Sequence, residues 1–270
     1  MAHAFRLLAT GEGTAAFNMA LDEAILEAVS AGAAAPTLRL YAWKPAAISI
    51  GYFQGLSEEV DLEACAANGV DVVRRITGGG AVFHQAEITY SVVIPEGHPL
   101  FVHSVLASYE RICAGVIAGL GVLGVQAAFA PINDIVAGGK KVSGNAQTRK
   151  KGCLLQHGTV LLDVDVELMF DLLKVPAEKA KGKLIEDVKQ RVTGLRSLRG
   201  ASVPYAEAES AMAVGFAEAL SLEYRTSAAM ARPAESSAAA GAVLPTPSEL
   251  QRAAVIAAEK FATEAWTAKR

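Results

Sequence analysis

The run Arg74, Arg75, Ile76, Thr77, Gly78, Gly79, Gly80, Ala81, Val82, Phe83 and His84 sets two guanidinium groups beside three consecutive glycines and a β-prone stretch. Without a Cβ, glycine lets main-chain N–H groups come close to a ligand, and adjacent positive charge suits a phosphate or a carboxylate. A tight hairpin uses the same glycines with nothing bound, so the triplet alone leaves both readings open. Neighbouring strand residues face opposite ways, so one arginine points at the loop and the other is structural.

A second cluster holds Asn133, Asp134, Gly139, Lys140, Lys141, Gly144, Asn145, Gln156, His157 and Gly158. Lys141 is either an ammonium aimed at an anion or a solvated strand lysine. Asp134 and Asn133 carry oxygen ligands of the kind hard cations take, and after Pro131 they equally suit an Asx turn. His84 and His157 lie at the edges of apolar strands, where histidine is ordinarily satisfied by backbone hydrogen bonds. Tyr52, Val82 and Phe83 are either core or the wall of an apolar slot.

With Phe17–Asp22, Gly51–Gln54 and Arg191–Thr193, these segments fall in the order of the lipoate–protein ligase and octanoyltransferase superfamily, and the chain resembles its catalytic domain. The resemblance implies the fold related to biotin synthetase and class II aminoacyl-tRNA synthetases. It implies a lipoate–protein ligase that activates lipoate or octanoate with ATP and Mg2+ as an acyl adenylate. The product is an amide on one lysine of an acceptor, a lipoyl domain or a glycine cleavage H-type protein. Lys141 is then the catalytic residue at the acyl carbonyl or phosphate. Tyr52, Arg75, Gly78, Gly79, Gly80, Val82, His84, His157 and Gly158 surround the acyl group. Arg74, Asn133, Asp134 and Lys141 hold the nucleotide, with Asp134 on the metal.

The sequence departs from the family in three places. Octanoyltransferases of this superfamily carry the acyl group on a cysteine, which in the similar branch precedes the Asp134 region. Here that stretch reads Gln126, Ala127, Ala128, Phe129, Ala130, Pro131. Cys153 is the alternative nucleophile, with Lys151 nearby to lower its pKa and with Leu154 and Leu155 arguing for a core thiol. Gln85 stands where many relatives have aspartate. The accessory domain of many ligases is missing, which implies a separate accessory protein or a domain that works alone. An octanoyl or lipoyl transferase using Cys153, and a non-catalytic module that binds lipoate or the acceptor, are the alternatives.

The elements that position these residues follow from periodicity. Ala15 to Ser30 reads as an amphipathic helix after a strand near Phe5 to Leu8, and Thr37 to Trp43 with Ala47 to Gly51 as paired strands. Glu58 to Ala67 reads as helix, with strands at Asp71 to Arg75, Ala81 to His84 and Ile88 to Ile94. Val102 to Leu123 is a buried helix; Ile135 to Val136, Lys141 to Ser143 and Cys153 to Leu162 return to strand. Helices follow at Val166 to Leu173, Pro204 to Leu220 and Pro247 to Ala268. The order predicts an α+β fold with a mixed, mainly antiparallel sheet flanked by helices. Residues 1–225 form the catalytic domain, 226–246 a flexible connector poor in large apolar side chains, and 247–270 a helix packed on the same domain.

An apolar fraction of 52% supplies a core, and three irregularly spaced cysteines indicate neither a disulfide framework nor a zinc site, which fits the cytoplasm. A net charge of -3 argues against general nucleic-acid binding, and no run has the length expected of a membrane span. The basic residues Lys140, Arg149, Lys150 and Lys151 suggest a docking site for an acidic acceptor.

Overall fold

The computed structural model describes residues 2–174, 181–225 and 239–269. The first half comprises β1 (His3–Gly13), α1 (Ala15–Ser30), β2 (Thr37–Trp43), β3 (Ala47–Ile50), α2 (Leu56–Glu59), α3 (Leu62–Ala67), β4 (Asp71–Arg74), β5 (Val82–His84), β6 (Glu87–Pro95) and α4 (Val105–Val122). Then come β7 (Ala127–Ala130), β8 (Asp134–Ala137), β9 (Lys140–Lys150), β10 (Cys153–Leu161), α5 (Val166–Leu172), α6 (Lys181–Arg191), α7 (Leu195–Arg199), α8 (Tyr205–Leu220), β11 (Leu222–Tyr224), α9 (Pro247–Ile256) and α10 (Glu264–Thr267).

Eight strands form one sheet in the order β11-β1-β2-β6-β10-β9-β8-β7. It is parallel from β11 through β2 and antiparallel from β2 to β7. A mixed, mainly antiparallel sheet flanked by helices is the predicted class. The expected hairpin of β2 and β3 does not form. Instead β3 leaves for a second sheet, β4-β3-β5, parallel to β4 and antiparallel to β5. The turn at Lys44 and Pro45 is the local signal, but strand partners are chosen by distant residues. This small sheet carries both ends of the glycine loop.

Helix α1 starts where the Thr14 side chain caps the Phe17 N–H, and it buries Met19, Leu21, Ile25 and Leu26. Burying such side chains stabilises the fold by roughly 1.5–3 kcal/mol each. The same helix buries Asn18 and Asp22, which need partners and find them in Arg39 and Tyr41 of β2. Helix α4 has the length and apolar composition to cross a bilayer, which the sequence reading did not expect; here Ile112, Val116 and Leu120 lie in the core beside α8. Cys65, Cys113 and Cys153 are free and buried.

Of the expected connector, residues 226–238 lie outside the described residues. Its remainder is packed: Ala239 and Val243 are buried, and the Val243 N–H donates to Leu7 O at 2.8 Å. The C-terminal helix is interrupted by a π-helical turn, Ala257–Phe261, before α10. Helix α10 packs on β4 and reaches the glycine loop's entry strand through Arg74.

Candidate active site

Arg74 and Arg75 part company at the end of β4. Arg74 is fully buried and spends its guanidinium on carbonyl oxygens of Gly51, Tyr52, Gln54, Trp266 and Thr267. It does not line the cavity described below, which corrects the nucleotide-binding role expected of it. Arg75 turns the other way. Its Nη2 donates to the carbonyls of Gly78 at 2.8 Å and Gly80 at 2.7 Å, its Nη1 to Ser49 O at 2.8 Å and Oγ at 3.2 Å, and its Nε to Thr77 Oγ1 at 3.1 Å. All five donors of the fork are used. Burial lowers its pKa to about 10, so it stays charged at neutral pH.

Two buried chains of side chains converge on this guanidinium. Since arginine only donates, Ser49 Oγ accepts from Arg75 and donates to His84 Nε2 at 2.8 Å, which leaves the proton on Nδ1, 3.3 Å from Glu87 Oε1. On the other side Thr77 Oγ1 donates to His157 Nε2 at 2.7 Å, and His157 Nδ1 lies 3.4 Å from Asp22 Oδ2. Each Nε2 is thereby occupied by a hydroxyl hydrogen. Both histidines hold Arg75, and Arg75 holds the loop.

The electrostatics agree with that assignment. Burial, reinforced by the Arg75 charge, pushes His84 well below the ordinary histidine range. Burial also raises Glu87 to about 8, and its Oε2 has no hydrogen-bond partner, so at neutral pH the carboxyl is mostly protonated. Burial opposes ionisation of Asp22 too, but the Arg39 guanidinium 2.8 Å away and the bond from His157 overcome it and lower its pKa.

A cavity of about 150 Å³ opens in front of the loop, a size that holds one small apolar molecule or a narrow chain. Met19, Trp43, Val82 and Ala146 give it apolar surface, and Gly79, Gly80, Arg75, His84, His157, Gly158, Asn133 and Lys141 are among its other lining residues. Trp43 stacks on His84 with centroids 4.0 Å apart. Lys141 is the cation whose head is not consumed by the scaffold: its side chain is 40% exposed, and Nζ pairs with Asp134 Oδ1 at 2.7 Å. Gly144 leaves room for it, because a Cβ there would lie 2.9 Å from both Cε and Nζ of Lys141.

Asn133 and Asn145 exchange side-chain amide bonds with each other's carbonyls, which fixes β9 against the segment before β8. Asp134 reaches the cavity only through Lys141. Among the described residues no group of three or more His, Cys, Asp or Glu could hold a metal. Gly78 gives its carbonyl to Arg75 and is not among the lining residues. Tyr52, expected in the acyl wall, lies behind the loop beside Trp266 instead, 5.9 Å between centroids. Cys153 begins β10, five residues and about 16 Å along the strand from Gly158. It packs with the α1 core, and burial raises its thiol pKa. Among the described residues no thiol lines the cavity.

Sequence reasoning did not single out Met19, Trp43, Ser49, Thr77, Glu87, Thr89 or Asn145 as site residues. The available signal was polarity inside apolar strands: Glu87 and Thr89 sit in a β6 that is otherwise buried and largely apolar, as Ser49 does in β3.

The model of the lipoyl protein ligase A/B catalytic domain matches residues 14–217. The chain is 45% identical over 238 residues to octanoyltransferase LipM of Kyrpidia tusciae, covering 80% of this chain and 87% of that protein. It is 35% identical to octanoyltransferase LipM of Brevibacillus brevis across 98% and 99% of the two chains. Among solved structures, a crystal structure of lipoate-protein ligase A bound with ATP superposes with a TM-score of 0.79 at 29% identity, covering 99% of each chain. A chain from the Thermoplasma acidophilum lipoylation system, a bipartite lipoate protein ligase and its E2 lipoyl domain, gives 0.83 at 29% identity over 98% and 96%. This chain belongs to the lipoyl protein ligase A/B catalytic domain family and is an enzyme of the lipoate ligase and octanoyltransferase group.

Proposed function

We propose that this enzyme transfers an octanoyl or lipoyl group from a carrier-bound thioester to the lysine amine of a lipoyl-type acceptor domain. The observation that carries the reading is the meeting of Lys141 and the glycine loop at one narrow, partly apolar cavity. The 45% identity to a protein named octanoyltransferase supports the thioester as donor over free acid and ATP.

The chain's own residues then divide the work. Met19, Trp43 and Val82 take the acyl chain, each buried methylene contributing about 0.8 kcal/mol. The acceptor amine attacks the thioester carbonyl, a C–N bond forms, and negative charge gathers on the carbonyl oxygen. The Lys141 ammonium faces that charge. Main-chain N–H groups of the loop add to it, since a trans peptide turns them away from the carbonyls that Arg75 has captured. The C–S bond breaks, and the thiolate takes up the proton the amine releases. With no thiol among the described residues of the lining, the acyl group passes directly from carrier sulfur to lysine nitrogen; the buried Cys153 is not needed as carrier.

A second reading is favoured by the Asp134–Lys141 pair beside a thiol-free cavity: lipoate or octanoate activated by ATP with Mg2+. ATP would supply the leaving group that a free carboxylate lacks. Lys141 would suit its phosphate, and Asp134 would offer a carboxylate oxygen to Mg2+, which would neutralise phosphate charge. A reducing compartment such as the cytoplasm would suit either reaction, since Cys65, Cys113 and Cys153 are free thiols.

The deciding experiment offers purified enzyme and apo acceptor domain either an octanoyl carrier-protein thioester or octanoate with ATP and Mg2+, read by intact mass. Acylation from the thioester without ATP is the expected result. Acylation only with ATP would move the assignment to the second reading, and none from either donor would overturn both.

A further inference from the structure

We propose that the face behind the glycine loop, formed by Phe53, Lys150 and Lys269, docks the acceptor domain through a segment that carries carboxylates and an apolar contact beside its modifiable lysine. This inference rests on the transfer reading above. Phe53 is 85% exposed, the most exposed large hydrophobic side chain among the described residues, and its ring stands edge-on to Tyr52 at 5.0 Å. Lys150 Nζ lies 4.9 Å over the Tyr52 ring, while Lys269 Nζ lies 5.9 Å from the same ring and 5.5 Å from that of Trp266. An exposed aromatic beside a ring that carries two cations has the composition of an interface anchor.

The structure also separates the basic residues that are occupied from those that are free. Lys140 donates to the Lys189 carbonyl, Arg149 to the carbonyls of Val102 and His103, Lys151 pairs with Glu27, and Lys260 with Glu23. Among the described residues no carboxylate pairs with Lys150 or Lys269. Their charge therefore selects an acidic partner. The basic run singled out in the sequence thus contributes one residue to this face, and Lys269, two residues past the end of α10, is the other.

The face is joined to the cavity. The Tyr52 N–H donates to Thr77 O at 2.8 Å, and Gly51 lies so close that a Cβ there would overlap the Gly79 carbonyl. Arg74 and the Trp266 indole, which donates to Arg74 O at 2.8 Å, fix α10 beside it. Lys150 ends the strand that carries Lys141 and Ala146, and four strand residues put it about 13 Å from Ala146. That is about the radius of gyration of a small domain, so a partner seated here brings one of its loops to the cavity mouth.

The test compares wild type, Phe53→Ala, Lys150→Glu with Lys269→Glu, and the triple variant, using whichever acyl donor the wild type accepts. Each is assayed with the acceptor domain over a salt series and with hydroxylamine as a small amine. The expected result is a drop of about tenfold in kcat/KM for the acceptor, mostly in KM, with a flatter salt dependence in the charge variants and unchanged enzyme-dependent turnover of hydroxylamine. An unaltered acceptor KM and salt slope in the triple variant would overturn the docking face, as would equal losses with both amines. Wild type inactive toward both amines would instead remove the transfer reading, and the docking proposal with it.

Discussion

A Cβ added to Gly144 would stand 2.9 Å from the Nζ of Lys141, so the absence of a side chain at one position of β9 fixes where the ammonium of another can lie. The crowded atoms belong to the tip of a flexible, half-exposed side chain and can move at little cost to folding. Gly144→Ala should therefore keep its melting temperature within a few degrees while losing at least tenfold in acyl transfer. A variant as active as the wild type would show that the lysine head has no fixed position in the reaction.

Lys141→Ala should lower kcat by about 10²–10³, the usual effect of removing one donor to a developing oxyanion. Its ion pair with Asp134 is partly exposed and contributes little to folding, so stability should change by less than about 1 kcal/mol. Steady-state kinetics beside urea denaturation separate the two effects. A loss of activity that tracks unfolding would contradict the role.

Arg75→Lys keeps the charge and discards the planar fork. The part-buried carbonyls of Gly78 and Gly80 would lose their shared donor, at a cost below the about 1–3 kcal/mol of a fully buried carbonyl left unpaired. Activity should fall more than tenfold, with a lower melting temperature. Full activity in this variant would mean that the loop holds its shape without the guanidinium.

Glu87 makes stability depend on pH in a direction opposite to that of a salt-bridged acid. Its folded pKa, about 8, lies above the ordinary 4.5, so between those values the native state keeps a proton that the unfolded chain has lost. This contribution is full below pH 4.5 and declines as pH rises toward 8, at most by about 1.4 kcal/mol per unit. Glu87→Gln removes the titration. Urea denaturation at pH 5 and pH 8 should show the wild type losing stability relative to this variant, and parallel behaviour of the two would refute the assignment.

Much of this was legible in the sequence where local physics decides. Helix α1 spans the residues its periodicity predicts, and the glycine run stands out by composition, whereas Lys141 is picked out only through the family resemblance. Alternation along β4 told that Arg74 and Arg75 diverge, but not which one meets the loop. That choice is made by α10, whose carbonyls collect Arg74 from 193 residues away. The pairing of β2 with β3 failed for the same reason, since a proline turn is visible locally and a strand's partner is not. Trp43 and Met19 carried no signal of their own, because the cavity is a gap left within core packing and its wall has the composition of core. The relays through Ser49 and Thr77 consist of single hydroxyls that carry no pattern until the histidines behind them are seen.

The most direct measurement uses the Cys65→Ser, Cys113→Ala, Cys153→Ser enzyme, checked for folding by circular dichroism, with the octanoyl thioester donor and apo acceptor. Burial keeps all three thiols protonated and away from the cavity, Cys65 raised to about 11 and Cys113 to about 12. Acceptor domain gaining one octanoyl group at a rate within a few-fold of the wild type is the predicted result. A folded cysteine-free enzyme that transfers nothing, beside a wild type trapped as an octanoyl thioester, would contradict direct transfer.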